Sequence, residues 1–279
     1  MFTLRQYLLA LLDSRGLTRT LGEIDVCRDE QGRPCFSAGN SAAVFRIRLG
    51  GRIRSLRCYL RPMRHLKEIY GQRLLEKELY LHTSPETGVW VDTVLGDWIE
   101  GSTLHETVAQ AAALRDRESL QILVRLFDRL ALALVTDNRA HGDLKPENII
   151  VGDDGTLCPI DFDASYLPAF AGEISPELGT AAYQHPARTA ADFDERIDDY
   201  PAALISTALH ALAEDPTLWD RYGSSDGLLY TPQRIASDPA YRETLALFEK
   251  RGMAVQYRIA QLLTAPTLRL FGLAELLAE

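Results

Sequence analysis

The stretch HGDLKPENIIVGDDGTLCPIDFD, residues 141–163, alternates polar clusters with short apolar runs. Asp143, Lys145 and Asn148 come first, followed by Ile149-Ile150-Val151. Gly152-Asp153-Asp154-Gly155 then has turn chemistry, and a second apolar run ends at Asp161. That order predicts a hairpin with polar groups at both ends. Asp143, Asn148 and Asp161 then sit at the strand mouths, where two carboxylates and an amide oxygen suit Mg²⁺, a hard cation bound by a few oxygens, water and substrate phosphate.

Upstream, residues 22 to 60 read as strands. Phe45, Ile47 and Leu49 alternate with Arg46 and Arg48, and Gly50-Gly51 supplies the positive φ angles of a tight hairpin. Residues 64 to 81, with few breakers and many helix formers, predict a helix, and residues 90 to 99 an extended segment. Past Glu100-Gly101 the character changes. Leu120, Leu123, Phe127, Leu130 and Leu134 fall on one helical face, and residues 203–213 and 243–263 also read as helical. The expected fold class is therefore α+β, with a leading helical extension over residues 1–21, a small sheet-rich region over 22–99 and a larger helical region over 100–279.

HGDLKPEN resembles the protein-kinase catalytic-loop pattern H-R-D-L-x-x-x-N, and Asp161-Phe162-Asp163 stands where D-F-G is expected. Asn148 follows Asp143 by five residues and Asp161 follows Asn148 by thirteen, in agreement with that superfamily. The resemblance implies a bilobal fold with MgATP held between a small antiparallel-sheet lobe carrying one main helix and a mainly helical lobe. By the same resemblance Asp143 accepts the proton of an attacking hydroxyl, Lys145 neutralises the γ-phosphate, and Asn148 with Asp161 holds Mg²⁺. Lys145, two residues after the aspartate, is similar to the Ser/Thr protein kinases, implying a protein Ser or Thr hydroxyl as acceptor.

The remaining motifs depart further from the family pattern. FSAGNSAAVF aligns with the glycine loop through Gly39, Ala42 and Val44, keeping only the central glycine. Arg57 occupies the place of the strand lysine, and Glu76 is the expected acidic partner on the following helix, with Glu68 and Glu78 as rivals. Asp97 and Ile99 match the hinge that pairs with the adenine edge. Residues 179–186, GTAAYQHP, resemble the end of an activation segment whose A-P-E glutamate is replaced by Ala187, so the late helices must be anchored in another way. Asp198 or Asp199 is placed to cap the central helix and bind catalytic-loop amides, with Pro201 in its first turn. Gly142 in place of the loop arginine removes the usual partner of an activation-loop phosphate, and Asp163 adds a third carboxylate. Arg57, Asp163 and the thinned glycine loop keep a pseudokinase scaffold open as an alternative. HGD keeps open a small-molecule kinase acting on a sugar or aminoglycoside.

The 279 residues are 46% hydrophobic and 25% charged, a globular mixture that excludes a disordered tail protein. A formal charge of −9 gives no electrostatic reason to expect nucleic acid as partner. Four cysteines without a C-x-x-C pair, and six histidines without H-E-x-x-H, indicate neither zinc nor a disulfide framework. A reducing cytoplasm is the expected compartment. The N-terminal stretch, interrupted by Arg5 and Gln6, reads as an amphipathic helix rather than a signal peptide. No run reaches the roughly eighteen apolar residues of a membrane span.

Overall fold

The computed structural model describes every residue from Met1 to Glu279. The chain is α+β and divides into two compact units, Met1–Ile99 and Glu100–Glu279.

The first unit contains α1 (Leu4–Leu12), β1 (Asp25–Val26), β2 (Phe36–Ala38), β3 (Ala42–Leu49), β4 (Arg52–Tyr59), α2 (Leu66–Tyr70), β5 (Leu74–His82) and β6 (Gly88–Asp97). Its antiparallel sheet has the order β1-β3-β4-β6-β5, with β2 also on β3. The expected hairpin forms: Gly50 and Gly51 both take positive φ, 55° and 78°, and set Leu49 opposite Arg52. Period-two alternation then sorts the side chains. Phe45, Ile47 and Leu56 are fully buried on one face, where α1 covers them with Tyr7, Ala10 and Leu11. The stretch read as a leading extension thus supplies part of this core, and the Tyr7 hydroxyl donates to the Tyr59 carbonyl at 2.6 Å. Val44, Arg57 and Val94 are register partners and share the opposite face.

The helix expected over residues 64–81 does not form as such. Only Leu66–Tyr70 is α-helical, bracketed by positive φ at His65 and Gly71, and a short 3₁₀ turn leads directly into β5. Alternation of Leu79 and Leu81 into the core, together with pairing to β6, outweighs the helix propensity of this segment. Glu76 therefore stands on a strand.

The second unit contains β7 (Gly101–Thr103), α3 (Leu104–Ala113), α4 (Arg117–Thr136), β8 (Ile149–Gly152), β9 (Leu157–Pro159), α5 (Asp199–Glu214), α6 (Leu218–Tyr222), α7 (Pro239–Arg251), α8 (Ala254–Leu262) and α9 (Leu273–Ala278). Leu120, Leu123 and Phe127 of α4 are buried as the spacing predicts, and Leu130 and Leu134 pack at the margin. They face α5, which is buried along almost its whole length. The helix expected over residues 243–263 is two helices, because Gly252 takes φ 70° and closes α7. The predicted hairpin forms as β8–β9, with β7 paired along β8. Its turn closes through Gly155 N–H to the Gly152 carbonyl, and Asp154 caps Thr156. No helix is long and apolar enough to cross a membrane.

Candidate active site

The loop between α4 and β8 holds Asp143, Lys145 and Asn148. Two backbone anchors shape it. Asp198, at the start of α5, accepts hydrogen bonds from the His141 and Gly142 amides, and its side chain makes no capping bond to its own helix. Burial raises the Asp198 carboxyl above the usual carboxylate range, while His141, the two amide bonds and Arg188 act in the opposite direction. The second anchor is the His141 ring, which donates from Nε2 to the Ile160 carbonyl at 2.7 Å and accepts from the Asp143 amide at Nδ1. Phe162 packs against this ring, with centroids 5.0 Å apart.

These anchors bring the polar groups together. Asp143 Oδ1 accepts from the Thr180 amide at 2.5 Å. Its Oδ2 lies 3.4 Å from Lys145 Nζ and accepts from Asn148 Nδ2 at 3.2 Å. Lys145 Nζ also donates to Thr180 Oγ1 at 2.8 Å. The Asp143 and Lys145 side chains keep 18% and 23% of their surface exposed. Asn148 spends both N–H groups on Asp143 O and Oδ2, which leaves its amide oxygen for a cation. The Ile160 amide donates to the Asn148 carbonyl, so Asp161 begins beside Asn148, and Asp161 itself takes φ 66°. An amide oxygen and a carboxylate are the hard donors that Mg²⁺ accepts alongside phosphate oxygens, so these residues fit the ion. Asp163 is buried in the 3₁₀ turn that follows.

Sequence reading does not assign Thr180, although both its amide and its hydroxyl bind the pair Asp143 and Lys145. The available signal is Gly179 directly before it: φ is 71°, and an added Cβ would lie 2.7 Å from the Gly142 carbonyl oxygen. His185 Nε2 donates to the Ala265 carbonyl at 3.0 Å, and its ring meets Tyr200 edge-on at 5.1 Å.

In the first unit, Arg57 sits opposite Val44 on β3 and Val94 on β6, with its guanidinium over the Tyr59 ring at 5.7 Å. Gly39 and Ala42 close the β2–β3 turn through an amide–carbonyl bond of 2.9 Å. The Asp97 carbonyl accepts from Ser55 Oγ at 3.1 Å, and Ile99 ends the unit. Glu76 is corrected: its carboxylate is exposed and faces Lys67 at 3.7 Å, because β5 replaces the expected helix. Its rival Glu78 is buried and accepts from the Thr20 and Leu21 amides, each at 2.8 Å.

No protein-family model matches the chain. Among curated proteins, CBL-interacting protein kinase 17 of Oryza sativa subsp. japonica is 28% identical over 58% of this chain and 35% of its own length. Serine/threonine-protein kinase PknL of Mycobacterium tuberculosis is 34% identical over 38% of this chain and 27% of its own length. Serine/threonine-protein kinase chk1 of Schizosaccharomyces pombe is 25% identical over 56% and 31%. The chain thus spans about a third of the length of these relatives. The partial likenesses support the protein-kinase superfamily and, at a coarse level, a kinase-like transferase.

Proposed function

We propose that this chain is an ATP- and Mg²⁺-dependent phosphotransferase that moves the γ-phosphoryl group to a protein Ser or Thr hydroxyl. The observation that carries the reading is the Asp143 carboxylate, held by the Thr180 amide, Lys145 and Asn148 and still partly exposed. The acceptor hydroxyl oxygen forms the new bond to the γ-phosphorus while the bond to the β–γ bridging oxygen breaks. ADP leaves with that electron pair, and the hydroxyl proton passes to Asp143. Lys145 offsets charge on the transferring group. Asn148 and Asp161 would hold Mg²⁺, which when bound draws charge from the phosphate oxygens. In the same proposal Arg57 answers α/β-phosphate charge with a planar fork instead of an ammonium, Gly39, Ala42 and Val44 cover the nucleotide, and Asp97 and Ile99 pair with adenine through their backbones. The acceptor is a protein segment; nucleic acid, membrane and zinc have no part in the reading.

Labelled ATP offered to generic protein substrates and to small alcohols tests both the reaction and the acceptor class. Asp143→Asn should cut transfer by about a hundredfold or more while nucleotide binding persists. Asp161→Asn should also weaken the Mg²⁺-dependent rise in melting temperature with ATP. Full transfer by Asp143→Asn would remove Asp143 from its assigned role. The buried Asp163 favours a second reading, a nucleotide-binding scaffold without turnover, in which ATP raises the melting temperature and no acceptor is labelled.

A further inference from the structure

Arg188 follows the GTAAYQHP stretch and takes no part in the chemistry above. Its residue surface is only 8% exposed, yet it carries a guanidinium. Nη1 donates to the Gly142 carbonyl at 3.0 Å and to Gln184 Oε1. The Gly142 carbonyl belongs to the peptide that joins Gly142 to Asp143. The adjoining His141–Gly142 peptide is held through its N–H by Asp198, at 3.0 Å. The backbone beside the catalytic carboxylate is thus clamped by an anion on one peptide and a cation on the next.

The cation arrives from the segment that carries Thr180. That segment lies close against the loop, since a Cβ on Gly179 would stand 2.7 Å from Gly142 O and 3.0 Å from Asp143 Oδ1. Burial pulls the Arg188 guanidinium below its ordinary value, and the carboxylates of Asp198 and Asp143 act against that pull. Nε and Nη2 have no hydrogen-bond partner, so the side chain is retained at a desolvation cost and its return is the charge balance with these acids. Gly142 offers no side chain to anchor the segment from the loop side.

We propose that Arg188 is a positioning residue: its buried guanidinium, bonded to Gly142 O among Asp143 and Asp198, docks the Thr180 segment on the catalytic loop without any phosphate group. The proposal rests on the phosphotransferase reading for its kinetic arm only.

The test compares wild type, Arg188→Met and Arg188→Lys, each with and without phosphatase treatment. Arg188→Met should lower kcat by at least about tenfold with KM for ATP within about twofold, and Arg188→Lys should recover to within about fivefold of wild type. Phosphatase should leave wild-type kcat unchanged. Hydrogen exchange at the Gly142 and Thr180 amides should quicken by about tenfold or more in Arg188→Met, while α4 and α5 keep their protection. Unchanged kcat in Arg188→Met, no recovery with lysine, loss of wild-type activity on dephosphorylation, or equal loss of protection in α5 would each overturn the proposal. If Arg188→Met does not fold, Arg188→Gln, which keeps an N–H for Gly142 and drops the charge, is held to the same limits. A wild type that transfers no phosphate sinks the phosphotransferase reading, and the exchange comparison still decides the docking role.

Discussion

Gly142 shows how one residue can look like a loss in the sequence and act as a requirement in the fold. Read as a pattern, it is a missing arginine. In the structure it has φ 81°, and an added Cβ would stand 2.0 Å from the Ala164 carbonyl oxygen, with no room for a flexible neighbour to yield. Gly172 has a similar φ of 85° and open space around it. Gly172→Ala should therefore cost only the left-handed strain, about 1 kcal/mol. Gly142→Ala adds the backbone collision and should cost about 2–4 kcal/mol, with a fall in phosphotransfer as Asp143 shifts. Urea unfolding of the two variants checks the difference; equal costs would mean that the close approach to Ala164 does not exist. Asp143, Lys145 and Asn148 were legible because six residues of chain hold all three, so their proximity is a local property. Asp198, one of the two aspartates expected to bind the loop amides, does bind them, whereas Thr180 and Arg188 were not legible as partners of this loop, since each meets it only after long stretches of intervening chain have folded.

At the scale of elements, β5 separates intrinsic preference from context. LLEKELYLH contains good helix formers, and propensity alone favours a helix. The strand wins because it buries Leu79 and Leu81 and completes a ladder with β6, terms that no window of local sequence contains. Glu78 marks the same strand. It is 1% exposed and accepts from the Thr20 and Leu21 amides and the Thr20 hydroxyl, tying the chain after α1 to β5. Glu78→Ala should remove the buried carboxylate that accepts these part-buried bonds and cost roughly 1.5–3 kcal/mol, more than the same change at exposed Glu76, which should stay within about 0.5 kcal/mol. Chemical unfolding of both variants measures it, and equal losses would contradict the strand assignment. By contrast the middle of α4, from Leu120 to Leu134, was legible, because regular amphipathic spacing over several turns outweighs any single long-range contact.

Across the whole chain, acidity should register at the start of α5, where Asp198 just before the helix and Asp199 in its first turn are both buried. Burial pushes Asp199 up to about 6, against the pull of the Leu270 amide on Oδ2, and its Oδ1 has no hydrogen-bond partner. The folded chain then binds more protons than the unfolded one between about pH 4 and about pH 6, so stability falls as pH rises through that window and levels off above it. Relative to Asp199→Asn, wild type should lose roughly 1–2 kcal/mol between about pH 4 and about pH 7, after allowance for partial solvent screening. Parallel stability profiles for the two proteins would remove Asp199 as the cause. The sequence by itself determined the α+β class, the Gly50-Gly51 hairpin, the change of character at residue 100 and the short polar loop ending at Asn148. Each is written in periodicity or turn chemistry within a few residues. Tertiary structure alone decided that residues 74–82 are strand, that Gly252 splits the late helix, that Asp198 and not Asp199 binds the loop amides, and that Thr180 and Arg188 dock on the same loop. Those outcomes depend on which distant surfaces become buried together, a free energy shared between segments and absent from either segment alone.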